Sequence, residues 1–322
     1  MATFRACLCA ILMSILTTSL MAWGPIGHMA VANVAYQELT PTTKARVRDL
    51  LKLNPEYGEW EKQIPAGTSP EDHDRMIFMI ASTWADDIKG DSKYSDDSPD
   101  PNSPDGATSS QNIGYSDRFR HRYWHFVDLP FSAEHTALPT IPAPNAQTQI
   151  VAFRAVLGSE QSDELKSYDL VWLLHLIGDV HQPLHATTRI TRAAPKGDAG
   201  GNNVKLSGDA SANLHSYWDD IPGFDCNYCK NKIRCIDRAM VFSKQLKPPS
   251  VKAVRKPDTA VWIEESFAAA RTVVYQVPID TGDGPYTIVP RSSYDLAAYR
   301  LAQKRIALAG ARLAEVLNHE LK

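Results

Sequence analysis

Cysteine is scarce in this chain, five among 322 residues, and basic charge is not in excess. There are 34 Lys and Arg against 37 Asp and Glu, a formal net charge of -3. That balance excludes a protein that grips nucleic acid by bulk positive charge alone. Any phosphate-bearing substrate must instead meet local positive charge, and a bound metal is one source. Asn-x-Ser/Thr is absent, so N-glycosylation is not expected. No internal repeat and no clean linker are found either. A chain of this length without them reads as one large domain, long enough to bury a sizeable core.

The apolar run from Ala6 to Leu20 is short for a membrane span and follows a single cation, Arg5. With the small residue Ala22 behind it, it reads as a secretory signal. The expected mature chain is therefore 23–322, secreted or periplasmic, with no membrane anchor. Loss of Arg5 takes the formal charge from -3 to -4. Loss of Cys7 and Cys9 leaves Cys226, Cys229 and Cys235 within ten residues. In an exported protein one disulfide among these three is the expectation, with one thiol left over. Half of a structural zinc site at Cys226-x-x-Cys229 is the alternative. Cleavage would also make Trp23 the N-terminus. A free α-amino group and the Trp23 carbonyl oxygen form a five-membered chelate, with His28 close behind. The competing reading is a tryptophan packed under an N-terminal helix.

Helical signals dominate the rest. Pro41 to Leu53 has a Thr-rich start and apolar residues at helical spacing. Ser69-Pro70-Glu71-Asp72 is a cap, a first-turn proline and two acids, and the helix it opens can run to Trp84. Asn145 to Leu157, Asp163 to Val180, Ala260 to Tyr275 and Ser293 to Leu317 are further helices by periodicity. Gly90 to Ser116 is rich in Ser, Asp, Pro and Gly and reads as a long surface loop. Thr187 to Ser207 alternates weakly around Gly200-Gly201, as a short β-hairpin or an ordered loop would. Val277 to Arg291 is loop-like. The fold class is mainly α-helical, a single domain with a short β-hairpin and long surface loops.

The strongest chemical signal lies in the nearly all-apolar run Asp169 to Val180. His175 and Asp179 are four apart and project from one helical face. Burying both is costly unless they pair or bind metal. Pro183 ends that helix and can swing His185 back toward the same place. A second His-x3-Asp pair is His215 and Asp219. His125 lies in Trp124-His125-Phe126-Val127-Asp128, and Asp86 in Trp84-Ala85-Asp86-Asp87. Imidazole and carboxylate without thiolate suit a catalytic zinc site. Three ions with three ligand carboxylates would leave a local charge near +3 to hold a phosphodiester. The other histidines, His73, His121, His135, His181 and His319, read as solvated, capping or supporting residues. His181 is placed between two proposed ligands and could orient one of them.

Trp23-Gly-x-x-Gly-His28, Trp84-Ala-Asp86, His125-Phe-Val-Asp128, His175-x3-Asp179-x5-His185, Gly200-Gly-Asn202 and His215-x3-Asp219 follow one another in a known order. The chain resembles the S1/P1 type of zinc-dependent nuclease, within the superfamily of zinc-dependent phospholipases C. The resemblance implies a mostly helical fold around three Zn2+ ions. One ion would be held by Asp86, His125, His175 and Asp179. A second would be held by the amino and carbonyl groups of Trp23 with His28 and the shared Asp179. The third would be held by His185, His215 and Asp219. It further implies cleavage of the P–O3′ bond of single-stranded DNA and RNA and removal of 3′-phosphates from nucleotides. Lys89 matches a basic position that stabilises the transition state, and Asp86 would orient the attacking water. Phe126 would stack on a base, with Asp128 on its edge and Asn202 nearby. A monomer without a stable protein partner is implied. The family's disulfides do not transfer, because the cysteines here are fewer.

The rival activity is phospholipase C action on lipid head groups with the same metal core. Asp219 and Gly200-Gly-Asn202 favour the nuclease over it. A non-catalytic zinc-binding protein would need neither Lys89 nor the Phe126 and Asp128 pair.

Overall fold

The computed structural model describes residues 23–96, 118–208, 211–223, 232–279 and 284–322. The leader, Cys226, Cys229 and most of the loop expected at residues 90–116 lie outside the described residues. Among the described residues, twelve α-helices and one pair of two-residue strands carry the regular structure, joined by short 3-10 and π turns.

Helix α1 (Pro25–Glu38) starts on a proline, whose missing N–H costs nothing in a first turn. It is apolar on nearly every side and is buried accordingly, against the helices that flank it in the core. Helix α2 (Pro41–Leu51) is capped by Thr40, which accepts from the Thr43 amide. It stops two residues short of the expected Leu53. After the short α3 (Tyr57–Glu61), Ser69 caps α4 (Pro70–Ala81) by accepting from the Asp72 amide. Helix α4 does not reach Trp84. The Ser82 and Thr83 hydroxyls donate to the Met79 and Ile80 carbonyls, which turns the chain off the helix axis. It restarts as α5 (Trp84–Asp87).

Helix α6 (Ala146–Leu157), capped by Asn145, lies beside α7 (Asp163–Asp179), capped by Ser162. Helix α7 is the axis of the molecule: residues 167 to 179 are all buried. At its middle Trp172 meets the edges of Trp84, Trp124 and Tyr168. Such edge-to-face packing suits the aromatic quadrupole. Strand β1 (Pro130–Phe131) pairs in parallel with β2 (Thr188–Arg189), Pro130 opposite Thr188. Of the two readings of residues 187–207, the ordered loop holds and the short hairpin does not. Asp198 accepts from the Arg189 and Gly201 amides and folds the second half of that segment into turns, so β2 takes its partner from residues 129–131.

Helix α8 (Leu214–Asp220) follows, with Asn213 as its cap. Helix α9 (Lys232–Ser243) was not expected from sequence. It buries Cys235, Ile236, Ala239 and Phe242 at helical spacing. Helix α10 (Val251–Val254) and α11 (Thr259–Ala269) come next. The helix expected to reach Tyr275 widens at Ala270 into a π turn, where the Tyr275 amide donates to the Ala270 carbonyl. Helix α12 (Ser293–Glu320) closes the fold against α1 and α7. No described helix is long and apolar enough to cross a membrane.

Candidate metal centre

The C-terminal end of α7 presents His175 and Asp179 on one face, with His175 Nε2 at 3.3 Å from Asp179 Oδ2. Helix α1 lays the His28 ring parallel to that of His175, centroids 3.8 Å apart, with His28 Nε2 at 3.3 Å from Asp179 Oδ1. The short α5 delivers Asp86, whose Oδ1 is 3.5 Å from His175 Nε2. A 3-10 turn at Arg122–His125 brings His125 Nδ1 to 3.0 Å from Asp179 Oδ2 and 3.9 Å from Asp86 Oδ1. Asp179 thus faces three histidines that come from three separate elements. Its central position follows from its place at the buried end of α7.

A second group lies beside the first. The 3-10 turn Pro183–Ala186 carries His185, and α8 carries His215 and Asp219. His185 Nε2 and His215 Nε2 are 3.0 Å apart, and His215 Nε2 is 3.5 Å from Asp219 Oδ2. The two groups are tied by backbone. His185 Nδ1 donates to the His125 carbonyl, and the Val127 amide donates to the His185 carbonyl, continuing the β1–β2 pairing. Three sets of donor atoms therefore converge: His28, His175 and Asp179; Asp86, His125 and His175; His185, His215 and Asp219.

The donor chemistry fits cations. His175, His185 and His215 each commit Nδ1 to a backbone carbonyl, of Ser82, His125 and Gly200. That fixes the tautomer and turns the Nε2 lone pairs toward the cluster. The lone pairs of His185 and His215 then confront one another without a proton between them, an arrangement that a cation resolves. Among the described residues, neither ring nitrogen of the buried His28 has a hydrogen-bond partner, nor do His125 Nε2 and Asp179 Oδ1. Unpaired buried polar atoms of this kind are costly. Burial pushes the Asp179 carboxyl up to about 8 and raises that of Asp219 well above the usual range, despite a hydrogen bond from Gln182. Burial and the neighbouring His175 lower His28 well below an ordinary histidine. These groups are short of positive charge, and a divalent ion supplies it.

Asp86 differs. Burial opposes its charge, but Lys89 and His175 outweigh burial and hold it ionised, well below the usual carboxylate range. Lys89 Nζ donates to Asp86 Oδ1 at 2.6 Å and is itself buried. Phe126 and Asp128 are half-buried and follow His125 directly along the strand that pairs with residues 185–190. Burial, with Asp198 nearby, raises Asp128 to about 7. Asn202 ends a turn in which its side chain donates to the Ala199 carbonyl. Trp23 is fully buried beside α1, with its indole N–H donating to the Gly178 carbonyl, one residue before Asp179.

His181 does not orient a ligand directly. Its Nδ1 donates to the Ile177 carbonyl and its Nε2 accepts from Arg312 on α12, on the side away from the cluster. His121 is not solvated; it is buried at the N-cap position of the turn Arg122–His125 and stacks on Trp124 at 3.5 Å, a supporting residue. Sequence reading missed the supports. Gln182 donates to Asp219 Oδ1, Ser82 and Gly200 offer carbonyls to histidines, and Gly178 lets His28 approach to 3.0 Å from where a Cβ would stand. Gln182 adjoins His181 in sequence and was visible; the two carbonyls carry no side-chain signal at all.

A model of the S1/P1 nuclease family matches residues 23–322. The chain belongs to the S1/P1 nuclease family. Endonuclease 3 of Arabidopsis thaliana is 25% identical over 318 residues, covering 94% of this chain and 90% of that protein. Endonuclease 2 of the same plant is 23% identical over 307 residues, covering 92% and 89%. Nuclease S1 of Aspergillus oryzae is 24% identical over 209 residues, covering 61% and 53%. S1/P1 nucleases are metal-dependent enzymes that act on nucleic acid, which agrees with donor groups of histidine and aspartate able to hold metal ions.

Proposed function

We propose that this chain is a trinuclear zinc nuclease. It hydrolyses the P–O3′ bond of single-stranded DNA and RNA, leaves 5′-phosphorylated products, and removes 3′-phosphates from nucleotides. The observation that carries this reading is the convergence of three thiolate-free donor sets around orphaned lone pairs. Asp86, His125, His175 and Asp179 would hold one Zn2+; His28, Asp179 and the amino and carbonyl groups of Trp23 a second; His185, His215 and Asp219 a third. Ions held there supply positive charge that polarises a phosphodiester and acidifies water. The chain's own groups do the rest. Asp86, kept ionised by Lys89, orients the attacking water. Lys89 meets the charge that develops on the phosphoryl oxygens. Phe126 offers a stacking face to the base, Asp128 hydrogen-bonds its edge, and Asn202 stands beside them. Stacking tolerates every base, and a duplex base is not free to stack. The Trp23 ligand requires removal of residues 1–22, so the mature enzyme is secreted or periplasmic.

Metal analysis of the purified protein should give three zinc ions per chain. Single-stranded DNA and RNA should be cut and phosphatidylcholine left intact; hydrolysis of the lipid alone would point to the phospholipase C relatives instead. Phe126→Ala should slow turnover of single-stranded oligonucleotides roughly ten- to a hundred-fold, from a stacking contribution of roughly 1–3 kcal/mol. Bis-(p-nitrophenyl) phosphate, which has no base, should lose much less. Equal losses on both substrates would make Phe126 a packing residue.

A further inference from the structure

Away from the metal centre, the turn after α9 and the outer face of α12 line a groove of about 570 Å³. Lys247, Arg300 and Lys304 lie along it with Gln245 and Gln303. All three cations are exposed, and none is paired among the described residues. The local sequence explains the sign. Residues 238–256 hold six Lys and Arg and no Asp or Glu, in a chain whose net charge is -3. Residues 296–314 hold four more and again no acid. Two of those four, Arg305 and Arg312, turn inward to Glu265, which leaves Arg300 and Lys304 facing out.

The groove also has a direction. It shares Gln245 with a shallower groove of about 310 Å³, which carries Asp237 beside Arg238 and runs past Tyr299 to Pro222, three residues beyond Asp219. The first turn of α12 is fastened to α8 there, by Tyr217 donating to Asp295 and Trp218 to the Tyr294 hydroxyl. Arg300 is five residues on from Asp295, roughly 7–8 Å along the helix axis. The half-buried Tyr299 ring lies at the junction, with its hydroxyl on Gln245 at 3.0 Å.

We propose that this groove is a second nucleic-acid site, which holds the phosphates of a single-stranded substrate beyond the stretch being cut. Unpaired cations in an otherwise acidic protein select an anion. Two joined grooves suit a chain rather than a compact anion, and a ring beside the cations suits unstacked bases. The inference rests on the nuclease reading but names a different part of the molecule.

The test is kinetic, on the zinc-loaded enzyme. Lys247→Gln, Arg300→Gln and Lys304→Gln together should raise KM for a long single-stranded oligonucleotide. Each lost phosphate contact removes about 0.7 from the slope of log affinity against log salt, so the slope should flatten by about 2. Turnover of a dinucleotide should not change. An unaltered KM and salt slope on the oligonucleotide, or an equal rise on the dinucleotide, overturns the proposal. If the wild type cuts neither substrate, the nuclease reading fails, yet fluorescence anisotropy with the same oligonucleotide still decides the groove. Weaker binding by the triple variant supports it, and equal binding overturns it. Tighter binding of phosphatidylserine vesicles than of the oligonucleotide also overturns it.

Discussion

A methyl group on Gly200 would stand 2.4 Å from the Leu184 carbonyl oxygen and 3.3 Å from His215 Nδ1. Gly200 also has φ +58, where residues with a side chain are strained. Its carbonyl holds the His215 tautomer, so one small residue both fits the turn and aims a donor. Gly200→Ala should therefore loosen the group of His185, His215 and Asp219 before it affects the others. The expected outcome is loss of about one metal ion per chain with the remainder retained, read by metal analysis beside a thermal melt. Full metal content in a stable Gly200→Ala protein would show that the turn adapts without cost. The same scale separates what a single residue can reveal. Asp179 was visible as a buried carboxylate four residues from a histidine. The carbonyls of Ser82 and Gly200 were not, because backbone acceptors are common to every residue.

Among the elements, α7 carries two donors at one end and its cap at the other. Ser162, thirteen residues before His175, accepts from the Leu165 amide. Ser162→Ala should cost roughly 0.5–2 kcal/mol of stability, the usual loss for such a cap. The metal-loaded rate should stay unchanged, because the cap lies over three turns from the donors. A chemical denaturation curve and a rate measured well below the midpoint check both halves. A lower rate at unchanged stability would mean that α7 moves as a lever rather than standing as a rigid post. The break between α4 and α5 shows the converse. Periodicity carried the helix on to Trp84, yet the hydroxyls of Ser82 and Thr83 end it. That break leaves the Ser82 carbonyl for His175 and sets Asp86 at a new angle.

Across the whole molecule, α11 and α12 clamp the segment that joins the two donor groups. Arg305 donates to the His181 carbonyl, Arg312 to His181 Nε2, and the Ser266 hydroxyl to the Val180 carbonyl. Glu265 neutralises both arginines. Burial alone would push its carboxyl up, but hydrogen bonds from Arg312 and Lys256 outweigh that and bring it down to about 2. Below its ordinary 4.5 the unfolded chain binds the proton that the folded one refuses. Its stabilisation is therefore complete above about 4.5 and is lost as pH falls toward about 2. Glu265→Gln should melt below the wild type near neutral pH, and the gap should close through that acid window. Once protonated, Glu265 carries no more charge than the amide that replaces it, so closure of the gap isolates its charge. A gap that stays constant with pH would rule out its charge as the cause.

Local order was legible in the sequence. The cap Ser69 acts through its side chain on the next turn. The pairs His175 with Asp179 and His215 with Asp219 share a face because four residues span about one helical turn. Those facts depend on neighbours in the chain, so they are written in it. Helix α9 was not expected from sequence, although 235, 236, 239 and 242 have helical spacing. The tertiary structure alone decided how the pieces meet. It paired residues 130–131 with 188–189 in parallel, where sequence alternation suggested a hairpin or an ordered loop. It turned His181 toward Arg312, and it set two acid-free segments side by side to make a basic groove. Each outcome rests on contacts between residues tens to more than a hundred positions apart, and periodicity within a helix or strand has no term for such distances.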